Sequence, residues 1–391
     1  MAIIVKKFGG TSVGSVELIR SIAKKLAKSY HRGDQLVVVV SAMAKTTDNL
    51  FSLAYEISTH PSRREMDMLL TAGERISMSL LSLSLYEEGI PSISFTGSQS
   101  GIITDDHHGN AKILKVNAFR IHEELAKDKV VIVAGFQGVS TTKEITTLGR
   151  GGSDTSAVAL ACYLGADKCE IYTDVAGVYS ADPRIVPQAR FIPEIGYLDM
   201  LALSYNGSKV LHPRAVEFAC RYKVRVEIKS SFTFEAGTLI KQEENPKDSQ
   251  MEERIVTAIA HKDNILRYRI ATDSGVLQLL EKWHNEIYKI NMVEQALELY
   301  IEEKYESEVD YILQESKISI TDKSRDIGFV ILVGLGLAAD PAFIARVLKL
   351  CANSHLTRIS HSERSVELML PAPQVAKTVA SLHQEFFGDK V

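Results

Sequence analysis

Ala2-Ile3-Ile4-Val5-Lys6-Lys7-Phe8-Gly9-Gly10-Thr11-Ser12 decides how the chain begins to fold. The apolar start has the character of a short strand and the glycine pair that of a tight turn. Beyond it Ile19, Ile22, Ala23, Leu26 and Tyr30 recur at the spacing of one helix face. The β-branched run Gln35–Val40 then reads as a strand buried on both faces, as in a parallel sheet. Working outward, Met68–Leu85 has a helical pattern around Ala72-Gly73-Glu74. Val130–Ala134 reads as another buried strand, Thr155–Leu164 as an alanine-rich helix and Glu170–Thr173 as a strand. Such alternation predicts an α/β sandwich about a mainly parallel sheet.

The pattern changes near residue 240. Lys241–Arg254 is polar and charged, contains Asn245-Pro246, and reads as a linker. After it come a strand at Ile265–Ala271, a helix at Val276–Ile287 and a strand at Leu297–Ile301. A second cycle follows, with strands at Phe329–Gly334 and Val366–Leu370 and helices at Pro341–Asn353 and Gln374–Phe387. The expected organisation is therefore 1–240, a linker at 241–254, and a duplicated α+β module over 255–391.

Composition narrows the class of function. An apolar fraction of 45% and a charged fraction of 24% over 391 residues fit a folded chain of two or three domains. Lys plus Arg total 45 against 49 Asp plus Glu, a net charge of −4, so no basic excess suggests nucleic acid or an anionic membrane. No apolar run approaches the ~20 residues a spanning helix needs. Met1–Lys7 carries no secretion-signal core. Cys162, Cys169, Cys220 and Cys351 lack metal-ligand spacing, and are expected to be reduced thiols of a cytosolic protein.

Two glycine clusters carry the chemistry. In Lys7-Phe8-Gly9-Gly10-Thr11-Ser12 the glycines let backbone N–H groups approach an anion, and Lys7 adds a point charge. Gly149-Arg150-Gly151-Gly152-Ser153-Asp154-Thr155 precedes the alanine-rich helix. There Arg150 offers a fork for a carboxylate, while Asp154 could serve the site or cap the helix. Together they suit two anions, a nucleotide phosphate and an anionic substrate. No G-x-x-x-x-G-K-[ST] occurs, so this is no P-loop enzyme. Gly334-Leu335-Gly336-Leu337-Ala338-Ala339 is read as a tight turn, because too little chain follows it for a dinucleotide fold.

With Lys7–Val13, the motifs Ser41–Asp48, Thr71–Arg75, Phe95–Gln99, Ala134–Gly138, Thr147–Thr155, Thr173–Tyr179, Ala181–Arg184 and Ser208–Pro213 resemble, in order, the aspartate kinases of the amino-acid kinase family. The resemblance covers about residues 4–240. It implies the three-layer sandwich of that family and transfer of the ATP γ-phosphoryl group to the β-carboxylate of L-aspartate. The product is 4-phospho-L-aspartate, on the way to lysine, threonine and methionine. A carboxylate is already ionised near neutral pH, so the chemistry needs positioning and cations rather than a general base.

By the same resemblance, Lys7, Asp154 and Arg150 are catalytic. Lys7 and the Gly9-Gly10 amides hold the transferring group, and Asp154 orients Lys7 or the substrate. Arg150 takes the aspartate α-carboxylate and Glu74 its ammonium, with Thr47 and Ser41 beside them. Phe8, Thr173, Asp174, Tyr179, Asp182, Arg184 and Lys209 line the nucleotide side. Mg²⁺ is held mainly by phosphate oxygens, with no protein ligand named. His212 is structural, because this reaction gives imidazole no task.

The C-terminal half resembles the paired ACT regulatory modules of these kinases, implying a homodimer through them. Asp273-Ser274-Gly275-Val276 lacks the usual proline. Ile290–Ala296 follows the effector strand, but Lys289 and Ala296 stand where amides are usual, while Gln295 is kept. Inhibition by lysine alone is therefore expected to be weak. Two alternatives remain at this point, another amino-acid kinase and a catalytically silent amino-acid sensor. The sensor's signature would be loss of Lys7, Arg150 or Asp154, and all three are present.

Overall fold

The computed structural model describes residues 2–208, 210–243, 256–272, 276 and 287–388. Two compact units emerge. The first comprises Met1–Val178, Phe191–Tyr205 and Lys209–Pro246; the second comprises Tyr179–Arg190, Asn206–Ser208 and Lys247–Val391.

The first unit is built on an eight-stranded sheet. Its order is Glu194–Gly196, Thr238–Lys241, Val226–Ser230, Lys168–Thr173, Ile3–Phe8, Gln35–Val40, Val130–Ala134 and Ser92–Phe95. Every pairing is parallel except Val226–Ser230 with Thr238–Lys241. Ile3–Phe8 lies in the middle, and alternation along it sends neighbouring side chains to opposite faces. Ile4 and Phe8 pack with Ile19, Ile22 and Leu26 of the helix Val16–Tyr30 and with Leu81 and Leu85 of the helix Ala72–Glu87. On the other face lies the helix Gly152–Leu164, whose Asp154 reaches Lys7. The layers are thus helix, sheet, helix.

Two details differ from the sequence reading. The helical pattern Met68–Leu85 is two helices, Arg63–Leu70 and Ala72–Glu87, broken at the fully buried Thr71. The Thr71 carbonyl accepts from Gln137 Nε2 at 3.2 Å instead of continuing one helix. A further four-stranded sheet, Ile113–Val116, Ile102–Thr104, Gln137–Ser140 and Ile145–Thr147, was not expected. Its strands are too short to show a periodicity.

The second unit carries a six-stranded antiparallel sheet. Its order is Ile287–Val293, Ala296–Glu302, Ala258–Ala271, Ile320–Val333, Ser365–Pro371 and Arg358–Ser362. Two separate cores lie on it. Leu266, Tyr268 and Ile270 pack with Leu299, Val309 and Leu313 in one. Ile259, Val330 and Leu332 pack with Val347, Val366, Val379 and Leu382 in the other. The strand Ala258–Ala271 serves both, with a register shift between Lys262 and Ile265 where it passes from one to the other. Ala181 and Val186 join the second core. The strands read at Ile265–Ala271, Leu297–Ile301 and Val366–Leu370 lie in these cores, but the strand read at Phe329–Gly334 spans Ile320–Val333, and the sequence reading has no helix at Glu306–Glu315. Most of the helix read at Val276–Ile287, the turn Asp273–Gly275 and most of the linker lie outside the described residues. Among those described, no helix is long and apolar enough to cross a membrane, and the four cysteines are free thiols.

Candidate active site

The glycine turn follows directly from the central strand. The Gly9 N–H donates to the Tyr172 carbonyl at 3.2 Å, and the Gly9 carbonyl accepts from the N–H groups of Ser12 and Val13. A Cβ on Gly10 would stand 2.9 Å from the Ala42 carbonyl oxygen, so only glycine fits that approach. The helix Val16–Tyr30 starts later and is capped by Ser15, whose Oγ accepts from the Leu18 N–H. The glycine turn is therefore a free-standing loop, one step before the helix end.

The second cluster comes to the same place. Gly149 and Gly151 have φ of +73° and +65°, in the left-handed region that favours glycine. A Cβ on Gly151 would fall 2.1 Å from the His212 ring, so the imidazole is the floor of this turn. Burial pushes the His212 pKa down, in keeping with a packing role. The helix begins at Gly152 with Gly151 as its cap residue, so Asp154 does not cap it. Instead Asp154 Oδ1 lies 2.7 Å from Lys7 Nζ, and both side chains are largely buried. Arg150 stands exposed at the turn.

Glu74 occupies the first turn of Ala72–Glu87 and is 3% exposed. Its Oε1 accepts from the Ala42 N–H at 3.0 Å, while Oε2 is buried with no hydrogen-bond partner among the described residues. Burial pushes the Glu74 pKa up to about 7, against two backbone hydrogen bonds that pull it down. Gly73 lets this helix close on the loop, since a Cβ there would meet Ala42 Cβ at 2.7 Å. Ser77 Oγ donates to the Ser41 carbonyl at 2.7 Å. Thr47 is half-buried in the first turn of Thr46–Ile57 and caps nothing.

Of the residues expected on the nucleotide side, Phe8 is fully buried, its ring stacks on Tyr172 at 4.7 Å, and its carbonyl accepts from the Ser41 N–H at 3.1 Å. Thr173 Oγ1 donates to Asp174 Oδ1 at 3.0 Å. Tyr179, Asp182 and Arg184 belong to the second unit. There Arg184 forks onto Asp182 through Nε at 3.0 Å and Nη2 at 2.6 Å, and this bonding holds the Asp182 carboxyl below its ordinary pKa. Lys209 lies outside the described residues.

The family model for the amino acid kinase family matches residues 2–230. Over 400 residues the chain is 42% identical to the aspartokinase of Geobacillus stearothermophilus, covering 99% of this chain and 97% of that one. It is 44% identical over 404 residues to aspartokinase 2 of Bacillus subtilis, covering 99% and 98%. The chain belongs to the aspartokinases. E. coli aspartokinase III, solved with aspartate and ADP, superposes with a TM-score of 0.82 at 23% identity, covering 98% of this chain and 100% of that one, which shows the fold.

As an aspartokinase the chain is an ATP-dependent phosphotransferase. Glu74 Oε2 and Ser12 Oγ are buried at the site with no hydrogen-bond partner among the described residues, while Asp154 Oδ1, buried likewise, has its ion pair with Lys7. Buried polar atoms are ordinarily satisfied, so the first two are candidate contacts for a ligand. Ser12 was read in the glycine motif without a role of its own; its burial is what singles it out. Phe136 was also missed. It holds a φ of +68°, and its carbonyl accepts from the Leu148 N–H at 2.8 Å, fixing the approach to the Gly149 turn in this aspartokinase. Only its place between Ala134-Gly135 and Gln137-Gly138 hinted at that. No group of three His, Cys, Asp or Glu side chains able to hold a metal occurs among the described residues. The Lys7 charge and the Gly10 N–H suit phosphate oxygens, whereas the Gly9 N–H is already bonded to Tyr172.

Proposed function

We propose that the chain transfers the γ-phosphoryl group of ATP to the β-carboxylate of L-aspartate, giving 4-phospho-L-aspartate. The observation that carries this reading is the Lys7–Asp154 pair at the glycine turn, with Glu74 Oε2 buried and without a hydrogen-bond partner among the described residues. Lys7 and the Gly10 N–H neutralise charge on the transferring group, which is where an anionic nucleophile meets an anionic phosphoryl group, while the Gly9 N–H expected to join them is spent on the Tyr172 carbonyl. Asp154 holds the Lys7 ammonium in place. Glu74 Oε2 accepts the substrate ammonium, and Arg150 takes the α-carboxylate through a bidentate fork. Ser41 and Thr47 flank the substrate. Phe8, Thr173, Asp174, Tyr179, Asp182, Arg184 and Lys209 serve the nucleotide. Mg²⁺ arrives with ATP, held mainly by phosphate oxygens, and supplies charge neutralisation there.

The antiparallel C-terminal region supports a reading of 255–391 as paired ACT modules that join two chains into a homodimer, after a catalytic domain at 1–240 and a linker at 241–254. Free thiols and a net charge of −4 support a cytoplasmic setting. Trapping the acyl phosphate with hydroxylamine across a panel of amino acids tests the substrate. Hydroxamate formed with L-aspartate and not with L-glutamate or N-acetylglutamate is the expected result; preference for either of the others rejects it.

A further inference from the structure

Lys6 and Lys7 are neighbours on one strand and point to opposite faces of the sheet. Lys7 serves the site described above. Lys6 opens into a cleft of about 420 Å³ on the face covered by the helix Val16–Tyr30. The cleft is lined by six cations, Lys6, Lys25, Lys28, Arg32, Lys168 and Lys229, with Glu170 and Tyr172 at its base and the Phe234 ring on one wall.

Two carboxylates serve the strand lysines. Glu170 meets Lys6 at 2.6 Å, Lys168 at 2.6 Å and Lys229 at 3.2 Å, while Glu227 meets Lys168 and Lys229 at 3.1 Å each. Burial opposes ionisation of Glu170, but the surrounding ammonium groups, Lys6 first, hold its carboxyl well below the usual range. Lys25 and Lys28 on the opposite wall make no ion pair among the described residues. Lys25 Nζ rests on the Phe234 ring, 3.4 Å from its centroid, and on the Phe232 carbonyl at 3.5 Å. Burial and the like charge of Lys28 both push the Lys25 pKa down. Arg32 reaches Asp34 only at 3.7 Å, with its side chain 67% exposed. The cleft therefore holds a strong positive excess in a chain whose net charge is −4. A solvated lysine face needs no concave floor, no aromatic wall and no buried member, yet the Lys6 side chain is only 7% exposed.

We infer that this cleft binds a compact multivalent phosphate anion, at a site separate from the one that handles ATP. The size suits a small molecule. Lysines act as point charges on phosphate oxygens without requiring the planar fork that a carboxylate pair favours. The site adjoins the glycine turn, because Tyr172 donates from its hydroxyl to Glu170 at 2.8 Å, stacks on Phe8, and accepts the Gly9 N–H through its carbonyl. An anion that draws lysines off Glu170 acts on the residue against which the turn is fixed.

The test is calorimetric titration of the full chain with inorganic pyrophosphate, without Mg²⁺ and with excess ADP occupying the nucleotide site. Expected is one pyrophosphate per chain, with affinity falling as salt rises. Lys25→Glu with Lys28→Glu lowers that affinity at least about tenfold, and Lys25→Gln with Lys28→Gln by less, as loss of nearby charge requires. Both double variants keep the basal kcat, since neither lysine belongs to the catalytic machinery, and that activity reports that they fold. Lys7→Ala leaves the pyrophosphate affinity unchanged. Absence of binding with ADP present, binding indifferent to the Lys25 and Lys28 changes, or binding lost in Lys7→Ala overturns the inference. Failure of the aspartate reading would appear separately, in the hydroxamate assay.

Discussion

The Lys7 ammonium lies 2.7 Å from the Asp154 carboxylate, so a cation on the central strand is held by an acid in the first turn of the helix Gly152–Leu164. The pair places positive charge at the glycine turn without a flexible approach. Lys7→Ala is expected to lower kcat by about 10²–10⁴-fold, the scale of removing an electrostatic contact to a transition state. Asp154→Asn keeps the shape but releases the lysine, and should cost less. In both, kcat falls more than the aspartate KM rises. Initial rates from hydroxamate formation decide this, and a Lys7→Ala enzyme turning over at the parent rate would refute the role.

Glu74 yields a prediction about substrate and pH together. Its ordinary pKa of 4.5 is raised to about 7, so the free enzyme below neutrality holds it largely protonated and unable to pair with an ammonium. The aspartate KM should fall as pH rises through about 7, with the ATP KM flat. Glu74→Gln should raise the aspartate KM and remove that pH step. An ATP KM that moves equally would take Glu74 off the substrate side.

The same shift has a consequence for stability. Between pH 4.5 and about 7 the folded chain keeps a proton on Glu74 that the unfolded chain has lost. Stability therefore falls as pH rises across that window, and the cost is complete above it. Gln at position 74 can keep the acceptor for the Ala42 N–H while carrying no charge. Urea unfolding should show Glu74→Gln more stable than the parent by up to about 3 kcal/mol at pH 8 and indistinguishable at pH 4. A gain of equal size at both pH values would assign the effect to packing.

Gly151 and Gly89 separate backbone strain from collision. Both have left-handed φ, but a Cβ on Gly89 meets nothing within 4 Å, whereas on Gly151 it enters the His212 ring. Gly89→Ala should cost about 1–2 kcal/mol, the left-handed penalty alone. Gly151→Ala should cost about 1–3 kcal/mol more, as overpacking does, and abolish most activity by moving Arg150 and Asp154. Urea unfolding with parallel initial rates measures both; equal penalties would mean that His212 yields freely.

Regulation gives the fifth prediction. Lys289 is not a bare cation, since its Nζ pairs with Glu367 and meets Ser360 Oγ at 3.3 Å. An effector would have to disturb that arrangement, and Ala296 offers no amide in return. One missing polar contact weakens binding by about 5–150-fold. Half-inhibition by lysine alone is expected only above about 1 mM, in titrations of lysine, threonine and both at subsaturating aspartate. Potent inhibition by lysine alone would show the effector pocket to be intact.

Much of the site was readable because its chemistry is written in short, ordered stretches. Gly10 and Gly151 are glycines for reasons that the close approaches to Ala42 and His212 make physical. What was not readable depended on long-range partners. The helix break at Thr71 is set by Gln137, distant in sequence, and no local pattern announces it. Ser12 stands out only once its hydroxyl is seen buried without a hydrogen-bond partner among the described residues. The doublet Lys6-Lys7 reads as two similar charges, and only the sheet separates a residue that faces Asp154 from one that faces Glu170.

The strand Ala258–Ala271 gives Ile259 to one C-terminal core and Leu266, Tyr268 and Ile270 to the other. Neither half of this region can then be excised as a folded fragment, because a cut between them severs a strand that each requires. The pair must melt as one cooperative body, and hydrogen exchange should report a single opening energy along that strand rather than two. A substitution that loosens Tyr268 would be felt at Ile259 through one uninterrupted backbone.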